Sequence, residues 1–354
     1  MSGRPSNARI VVAFSTPLEE SFVQQIADSA PDQVELRYRP DLIPVPRYVA
    51  DHHGEPGWKR PAHLEPEWRA LVADADVLWD LPEGTDAPVL EQCPKLRWLQ
   101  TTSAGVGPQV RRAGLAETEV IVTTSSGIHA TPLAEFVFAA LLYHVKVFSQ
   151  LLAWQQERTW ERYCAGELKG QHMTLVGPGR IGREVARLAN AFGMTVTAVG
   201  ATPESERAPL PNVDRYTDFG NIDEALKHAD FVVLACPLTA HTEGLIGRSQ
   251  IERMKPGVAL INIARGTVID EDAMIAALQS GHIAFAGLDV FRTEPLPPES
   301  PLWSMPNVLV NPHSASTSWS ENERITEIFI ANLHHFLAGR FDQMSPVLNK
   351  TRGY

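Results

Sequence analysis

Cysteine is scarce in this 354-residue chain. Its three copies, Cys93, Cys164 and Cys236, lie far apart in sequence and form no disulfide framework, zinc ligand set or Cys-x-x-Cys redox pair. Buried thiols in a reducing cytoplasm are the expectation. Positive charge is also short: 31 Lys and Arg stand against 42 Asp and Glu, a formal charge of −11. That balance argues against nucleic acid or an anionic membrane surface as the main partner. Long apolar runs are lacking too. The most apolar helical stretch, 133–147, contains Glu135, His144 and Lys146, and is too short and too polar to span a bilayer. The polar opening, 1–9, leads directly into a strand pattern, so no secretory signal is expected. Metal-ligand spacing is missing as well. His52, His53 and His63 stand in a Pro-, His- and Gly-rich stretch, 40–66, that reads as a long solvated surface insertion.

What the chain does have is 44% hydrophobic residues and enough length for two domains of ordinary size. Its most informative stretch is Val176-Gly177-Pro178-Gly179-Arg180-Ile181-Gly182. A short strand pattern, 173–176, precedes it. A helical pattern follows, with Val185, Leu188, Ala189 and Phe192 at i, i+3, i+4 and i+7. Strand, tight turn and helix are the context that a Gly-x-Gly-x-x-Gly dinucleotide fingerprint needs. Gly177 allows the turn, Gly179 lets the backbone approach a pyrophosphate, and Gly182 lets the helix pack close to the strand. Pro178 has no N–H, so Arg180 and Ile181 are the expected donors at the helix N-terminus. A glycine-rich loop without a ligand is the alternative, and the flanking elements favour the dinucleotide.

Strand patterns at 10–14, 34–37, 77–79, 98–101 and 120–122, with helical ones at 18–28 and 68–73, predict a first parallel α/β unit. From the fingerprint on, strands are expected at 173–176, 195–199, 231–234, 259–262, 286–289 and 308–310. Six strands alternating with helices predict a doubly wound nucleotide-binding sheet. A helix at about 320–337 lies beyond the last of them. Its return to the first unit would make that domain discontinuous, 1–127 with 317–354, around an inserted domain at 128–316. Leu133, Phe136, Val137, Ala140, Leu141 and His144 share one helical stripe at the entry to the second domain. The aromatic and charged segment 158–167, beside Trp154 and containing Trp160, fits a partner surface, and ordinary packing would explain it too.

An acidic residue normally stands about 20 residues after the fingerprint, where it holds the adenosine ribose hydroxyls and repels a 2′-phosphate. Here Gly200 occupies the end of that strand, followed by Ala201 and Thr202. Thr202 and Arg207 are candidate phosphate contacts, whereas Glu204 and Glu206 disfavour extra negative charge. NAD and NADP both stay open, with a lean to NADP or dual use.

Three later segments place charge at C-terminal strand ends: Asn262-Ile263-Ala264-Arg265-Gly266, Leu288-Asp289-Val290-Phe291-Arg292-Thr293-Glu294-Pro295 and Asn311-Pro312-His313-Ser314-Ala315. Strand ends of one parallel sheet face one crevice. An Arg binds a carboxylate through paired hydrogen bonds. A His exchanges a proton with a carbonyl oxygen as hydride moves, and an adjacent carboxylate favours imidazolium and orients the ring. Taken singly, Arg265 and Glu294 fit a structural ion pair and His313 fits a strand cap. Together they point to catalysis. Ser103-Ala104-Gly105-Val106-Gly107, after the strand at 98–101, is a small-residue loop whose backbone N–H groups suit a carboxylate, and a plain turn fits it equally well.

With these residues in place, the chain resembles the D-isomer-specific 2-hydroxyacid dehydrogenase family. The matching stretches are 101–106, 176–183, 237–239, 262–270, 287–295 and 311–316. The resemblance implies a Rossmann cofactor domain inserted into a flavodoxin-like substrate domain, NAD or NADP as cofactor, and a homodimer formed largely through the cofactor domain. It implies Arg265, Glu294 and His313 as the catalytic set, with Arg265 holding substrate. It implies that Ala104, Gly105 and Val106 bind the substrate carboxylate, and that Arg180 and Ile181 contact the pyrophosphate. Cys236, Pro237, Ile263 and Ala264 would line the cofactor, Asp289 would meet the nicotinamide amide, and Ser314 lies beside His313 in the same site. The implied reaction interconverts a 2-oxo acid and a D-2-hydroxy acid. Rivals are a nucleotide-sensing, corepressor-like binding protein on the same fold and, more weakly, a dehydrogenase of a phosphonate. The first 90 residues match the family poorly, so the identity of the acid is open.

Overall fold

The computed structural model describes residues 9–83 and 88–351. The chain divides into two compact units, Met1–Ile128 with Thr317–Tyr354, and His129–Ser316.

The first unit holds a five-stranded parallel sheet of β1 (Ile10–Phe14), β2 (Val34–Arg37), β3 (Val77–Trp79), β4 (Trp98–Gln100) and β5 (Ile121–Thr123) in the order β2-β1-β3-β4-β5. That order is the flavodoxin-like one. Helices α1 (Glu20–Ser29), α2 (Glu65–Val72), α3 (Val89–Gln92) and α4 (Gly107–Arg112) connect the strands. β3 and β4 are buried at every position, which is why they read as short apolar runs without alternation.

The second unit opens with α5 (Ala130–Val145) and α6 (Phe148–Glu157). Its sheet contains β6 (His172–Val176), β7 (Thr195–Gly200), β8 (Arg215–Asp218), β9 (Phe231–Leu234), β10 (Val258–Asn262), β11 (Ile283–Leu288) and β12 (Val308–Val310). Helices α7 (Arg180–Ala191), α8 (Ile222–Lys227), α9 (Arg248–Arg253) and α10 (Glu271–Ser280) join them. The order β12-β11-β10-β9-β6-β7-β8 is the dinucleotide-binding arrangement with one further strand, and every pairing is parallel. The sequence pattern predicts six strands, and the structure has seven. The missed strand is β8, Arg-Tyr-Thr-Asp, an edge strand with no fully buried residue and therefore no apolar run. Leu133, Ala134, Val137, Phe138, Ala140 and Leu141 of α5 are buried, and His144 stacks on Phe285 at 4.9 Å.

The chain returns to the first unit with α11 (Glu321–Leu337). This helix brings Ile325, Phe329, Leu333 and Phe336 to a cluster with Phe14, Trp79 and Trp98. Phe329 stacks on Trp98 at 4.8 Å and meets Trp79 edge-on at 5.3 Å. Large aromatic surfaces of this kind dominate core energetics, so the C-terminal segment is structural cement for the first unit.

Two expectations need correction. The 40–66 stretch is not a solvated loop. Leu42, Ile43, Asp51, His52 and Arg60 within it are buried, and two 3-10 turns, Pro40–Leu42 and Ala62–Leu64, shape it. Asp51 organises it by accepting the N–H groups of Arg47, His53 and Gly54 and the Arg47 guanidinium. Side-chain acceptance of backbone N–H groups replaces regular structure, which leaves no periodic signal. His53 pairs with Glu83 at 2.6 Å. Second, Cys93 and Cys236 are buried, as expected, and Cys164 is exposed. Burial pushes the Cys93 thiol up to about 12 and that of Cys236 up to about 11. No single helix among the described residues is long and apolar enough to cross a membrane.

Candidate active site in the second unit

The fingerprint lies where the strand order of the second sheet reverses, between β6 and β9, the place at which open parallel sheets bind ligands. Gly177 follows β6 with φ +99°, a conformation that favours glycine, and a Cβ there would stand 2.5 Å from the Cys236 amide that follows β9. Gly179 has open space where its Cβ would be, so the backbone surface at that point is bare. Gly182 packs against the Gly177 carbonyl, where any side chain would collide. α7 begins at Arg180, directly after Gly179, and brings its first-turn N–H groups and positive dipole end to that bare surface. This cradle fits a pyrophosphate. Cys236 and Pro237 continue from β9, and Ile263 and Ala264 from β10. The Ile263 N–H bonds the Leu234 carbonyl at 3.0 Å, which ties the two strand ends together.

Arg265 follows β10 in an extended conformation and opens a 3-10 turn at Gly266–Val268. Asn262, 1% exposed, pins this segment: its Oδ1 accepts the Ala264 N–H at 3.0 Å and its Nδ2 donates to the Arg265 carbonyl at 3.2 Å. The Arg265 guanidinium donates to the Ala264 carbonyl at 2.7 Å and has no carboxylate partner among the described residues. The structural ion pair with Glu294 is therefore not formed, and the remaining guanidinium donors are available to a substrate. Gly266 makes the junction possible. A Cβ there would collide with the backbone of Phe291 and Arg292, so this turn and the loop after β11 touch backbone to backbone.

That loop carries Asp289 and Glu294. Glu294 Oε1 accepts the Phe291 N–H at 3.0 Å, and Oε2 lies 2.8 Å from His313 Nδ1. The Glu294–Pro295 peptide is cis. Arg292 anchors the loop to α10: its N–H reaches Glu271 at 2.9 Å and its guanidinium pairs with Asp272 at 2.8 Å. Asp289, 2% exposed, spends one oxygen on the loop after β12. Its Oδ1 accepts Asn311 Nδ2 at 2.6 Å and the Ser314 and Ala315 N–H groups at 2.9 and 3.0 Å. Between these anchors His313 sits at φ +53°, a strained conformation for a residue with a side chain. The loops after three neighbouring strands, β10, β11 and β12, thus brace one another and hold an Arg, a carboxylate and a His. Glu294 contacts Nδ1 of the imidazole and leaves the Nε2 edge outside that contact.

Every cofactor-lining residue expected from the sequence, from Gly177 to Ser314, lies in this unit. Gly200 and Thr202 lie at and just beyond the end of β7. Ala104, Gly105 and Val106 lie in the first unit, at the end of β4, with Val106 buried at the start of α4 and Gly105 exposed. Thr101 steadies that loop through the Ser103 carbonyl at 2.9 Å, and Thr102 bonds Asp80. The sequence reading gave no role to Asn262, Gly266, Glu271 or Asn311. Asn262, Gly266 and Asn311 stand inside the quoted strand-end segments, and a polar or glycine residue at a strand end was the only available signal.

A family model described as D-isomer specific 2-hydroxyacid dehydrogenase, NAD binding domain, matches residues 138–315. The chain is 34% identical over 276 residues to the glyoxylate reductase of Korarchaeum cryptofilum, covering 76% of this chain and 81% of that one. It is 32% identical over 278 residues to the hydroxypyruvate reductase of Blautia hydrogenotrophica, with 76% and 84% covered. The structure superposes with a TM-score of 0.76 on a D-isomer specific 2-hydroxyacid dehydrogenase from Xanthobacter autotrophicus Py2 solved with NADPH and MES, at 27% identity and 98% and 100% coverage. These relatives are reductases or dehydrogenases and lend nothing to the corepressor reading. With the fingerprint and the Arg–Glu–His set in place, this chain belongs to the D-isomer specific 2-hydroxyacid dehydrogenase family and is an NAD(P)-dependent oxidoreductase that interconverts a 2-oxo acid and a 2-hydroxy acid.

Proposed function

We propose that this enzyme reduces a small 2-oxo acid of the glyoxylate or hydroxypyruvate kind, with His313 as the proton donor, Glu294 as its orienting partner and Arg265 as the carboxylate and carbonyl ligand. The carrying observation is the 2.8 Å contact between His313 and Glu294, on loops of the same sheet that carries Arg265, whose guanidinium has no carboxylate partner among the described residues. A bound nicotinamide supplies the hydride. Arg265 polarises the carbonyl and fixes its carboxylate through its fork of donors. Nε2 of His313 then gives its proton to the carbonyl oxygen, and Glu294 steadies the imidazolium before the transfer. The reverse reaction starts from neutral imidazole. The names of the relatives support the substrate class.

The exposed apolar side chains around α6 support a homodimer. Trp160 is 94% exposed, with Phe148, Leu152 and Tyr163 exposed in the same region. An apolar patch of this kind marks a contact surface. Cysteines without disulfide partners fit a reducing, cytoplasmic compartment.

The test is the loss of absorbance of NADH or NADPH with glyoxylate and hydroxypyruvate. Turnover by the wild type and its collapse in His313→Ala are expected. Equal turnover by the two proteins would remove His313 from the mechanism.

A further inference from the structure

The edge strand that the sequence pattern misses stands beside the position where cofactor choice is made. β7 ends at Gly200, and β8 runs parallel to it, with Tyr216 opposite Ala198. The Tyr216 ring lies over Gly200. A Cβ at residue 200 would stand 2.8 Å from Tyr216 Oη and 3.2 Å from its Cε2. The acid that would hold unphosphorylated ribose has no room there while Tyr216 keeps its place. Tyr216 Oη donates to the Thr202 carbonyl at 2.6 Å, which fixes both the ring and the turn after β7.

Arg207 comes back to the same spot from the 3-10 turn Glu204–Glu206. Its guanidinium carbon lies 5.3 Å from the Tyr216 ring centroid, within cation–π range, and its Nη1 reaches Thr202 Oγ1 at 3.4 Å. Glu204 and Glu206 are neighbours in sequence, yet Arg207 forms no ion pair with a carboxylate among the described residues. A permanent cation with donors to spare, a hydroxyl and a phenol thus converge where the adenosine ribose of a dinucleotide on this sheet ends. A planar guanidinium braced on a ring suits a phosphate dianion better than it suits a ribose hydroxyl.

We propose that Tyr216, Arg207 and Thr202 form the seat of the 2′-phosphate of NADP(H), and that Tyr216 is the residue that sets the preference for NADP(H) over NAD(H). Tyr216 acts twice: it fills the space of the ribose-binding acid, and it props the guanidinium that meets the phosphate. This inference rests on the nicotinamide-dependent reading above and names the residues that choose between its two cofactors.

The experiment measures binding of two fragments, adenosine 2′,5′-bisphosphate and 5′-AMP, by calorimetry, alongside kcat/KM for NADPH and NADH with glyoxylate. The wild type is expected to bind the bisphosphate at least about tenfold more tightly. One charge-assisted contact corresponds to about 10- to 100-fold in affinity, so Arg207→Ala should remove most of that preference and Arg207→Lys should restore part of it. Tyr216→Phe, which keeps the ring and drops the hydroxyl, should lower the preference by a few-fold at most. Gly200→Asp with Tyr216→Ala should move the preference towards NADH. Equal binding of the two fragments by the wild type overturns the proposal, as does a bisphosphate preference that survives Arg207→Ala. A fragment preference without turnover of any 2-oxo acid leaves this seat standing and removes the reaction. Turnover with both cofactors but no fragment preference does the reverse.

Discussion

His313 Nδ1 lies 2.8 Å from Glu294 Oε2, and the second Glu294 oxygen accepts the Phe291 N–H at 3.0 Å. The carboxylate is thereby held on both oxygens, and its position sets which imidazole nitrogen stays outside the pair. A ring clamped in this way needs little reorganisation when the proton moves.

His313→Ala is expected to lower kcat for reduction by about 100- to 10,000-fold, the usual contribution of one positioned acid. Glu294→Gln keeps the shape and removes the charge. Without the anion the imidazolium loses its countercharge, so kcat should fall, by less than in His313→Ala. Steady-state kcat of the variant in both directions checks this, and a value equal to that of the wild type would show that Glu294 acts by shape alone.

Gly266→Ala tests the backbone contact that seats Arg265. The added carbon must displace the chain at Phe291 and Arg292. Overpacking of this kind costs about 1–3 kcal/mol. Because the loop displaced also carries Glu294, kcat/KM should fall even at temperatures where the variant stays folded. Thermal unfolding and steady-state kinetics on one preparation separate the two effects, and a variant with full activity would mean that the loop and the turn move independently.

Asp51 predicts a pH dependence of stability. Burial acts to raise its carboxyl, but the Arg47 guanidinium and the Arg47, His53 and Gly54 amides outweigh burial and hold it down at about 2. The unfolded value is about 3.9. A carboxyl lower in the folded state stabilises above its unfolded value, and that contribution disappears as pH falls from about 4 towards about 2. Asp51→Asn should cost about 1–3 kcal/mol at pH 7, the range for losing hydrogen bonds to a charged group. The gap to the wild type should narrow at pH 3.5. Denaturant midpoints at the two pH values decide, and a gap that does not change with pH would assign the loss to packing.

Trp160→Asp tests the proposed dimer. At 94% exposure this side chain contributes nothing to packing within the second unit. The substitution should leave the thermal midpoint of a monomer unmoved but shift the sedimentation coefficient towards the monomer value. A wild type that sediments as a monomer at all concentrations would end the proposal.

Where local pattern and tertiary environment agree, the sequence was sufficient. The buried strands and the fingerprint were legible because a parallel sheet covered on both faces selects apolar runs and a phosphate turn selects glycine. Arg265, Glu294 and His313 stood out for a related reason: each lies in a segment that follows a strand of one parallel sheet, where ligands bind. β8 and the 40–66 stretch were not legible. One is an edge strand without apolar continuity, and the other is ordered by Asp51 through bonds that no period encodes.

The sequence by itself determined the parallel α/β class, the dinucleotide turn and the residue types of the proposed catalytic set, because each depends on short-range pattern or on one side chain's chemistry. Only the tertiary structure decided how those residues are aimed. That Glu294 meets His313 rather than Arg265, that Gly266 admits the backbone of Phe291, and that Tyr216 covers Gly200 are contacts between residues 16 to 25 positions apart in sequence. Their registers follow from which strands lie side by side, and no local preference contains that information.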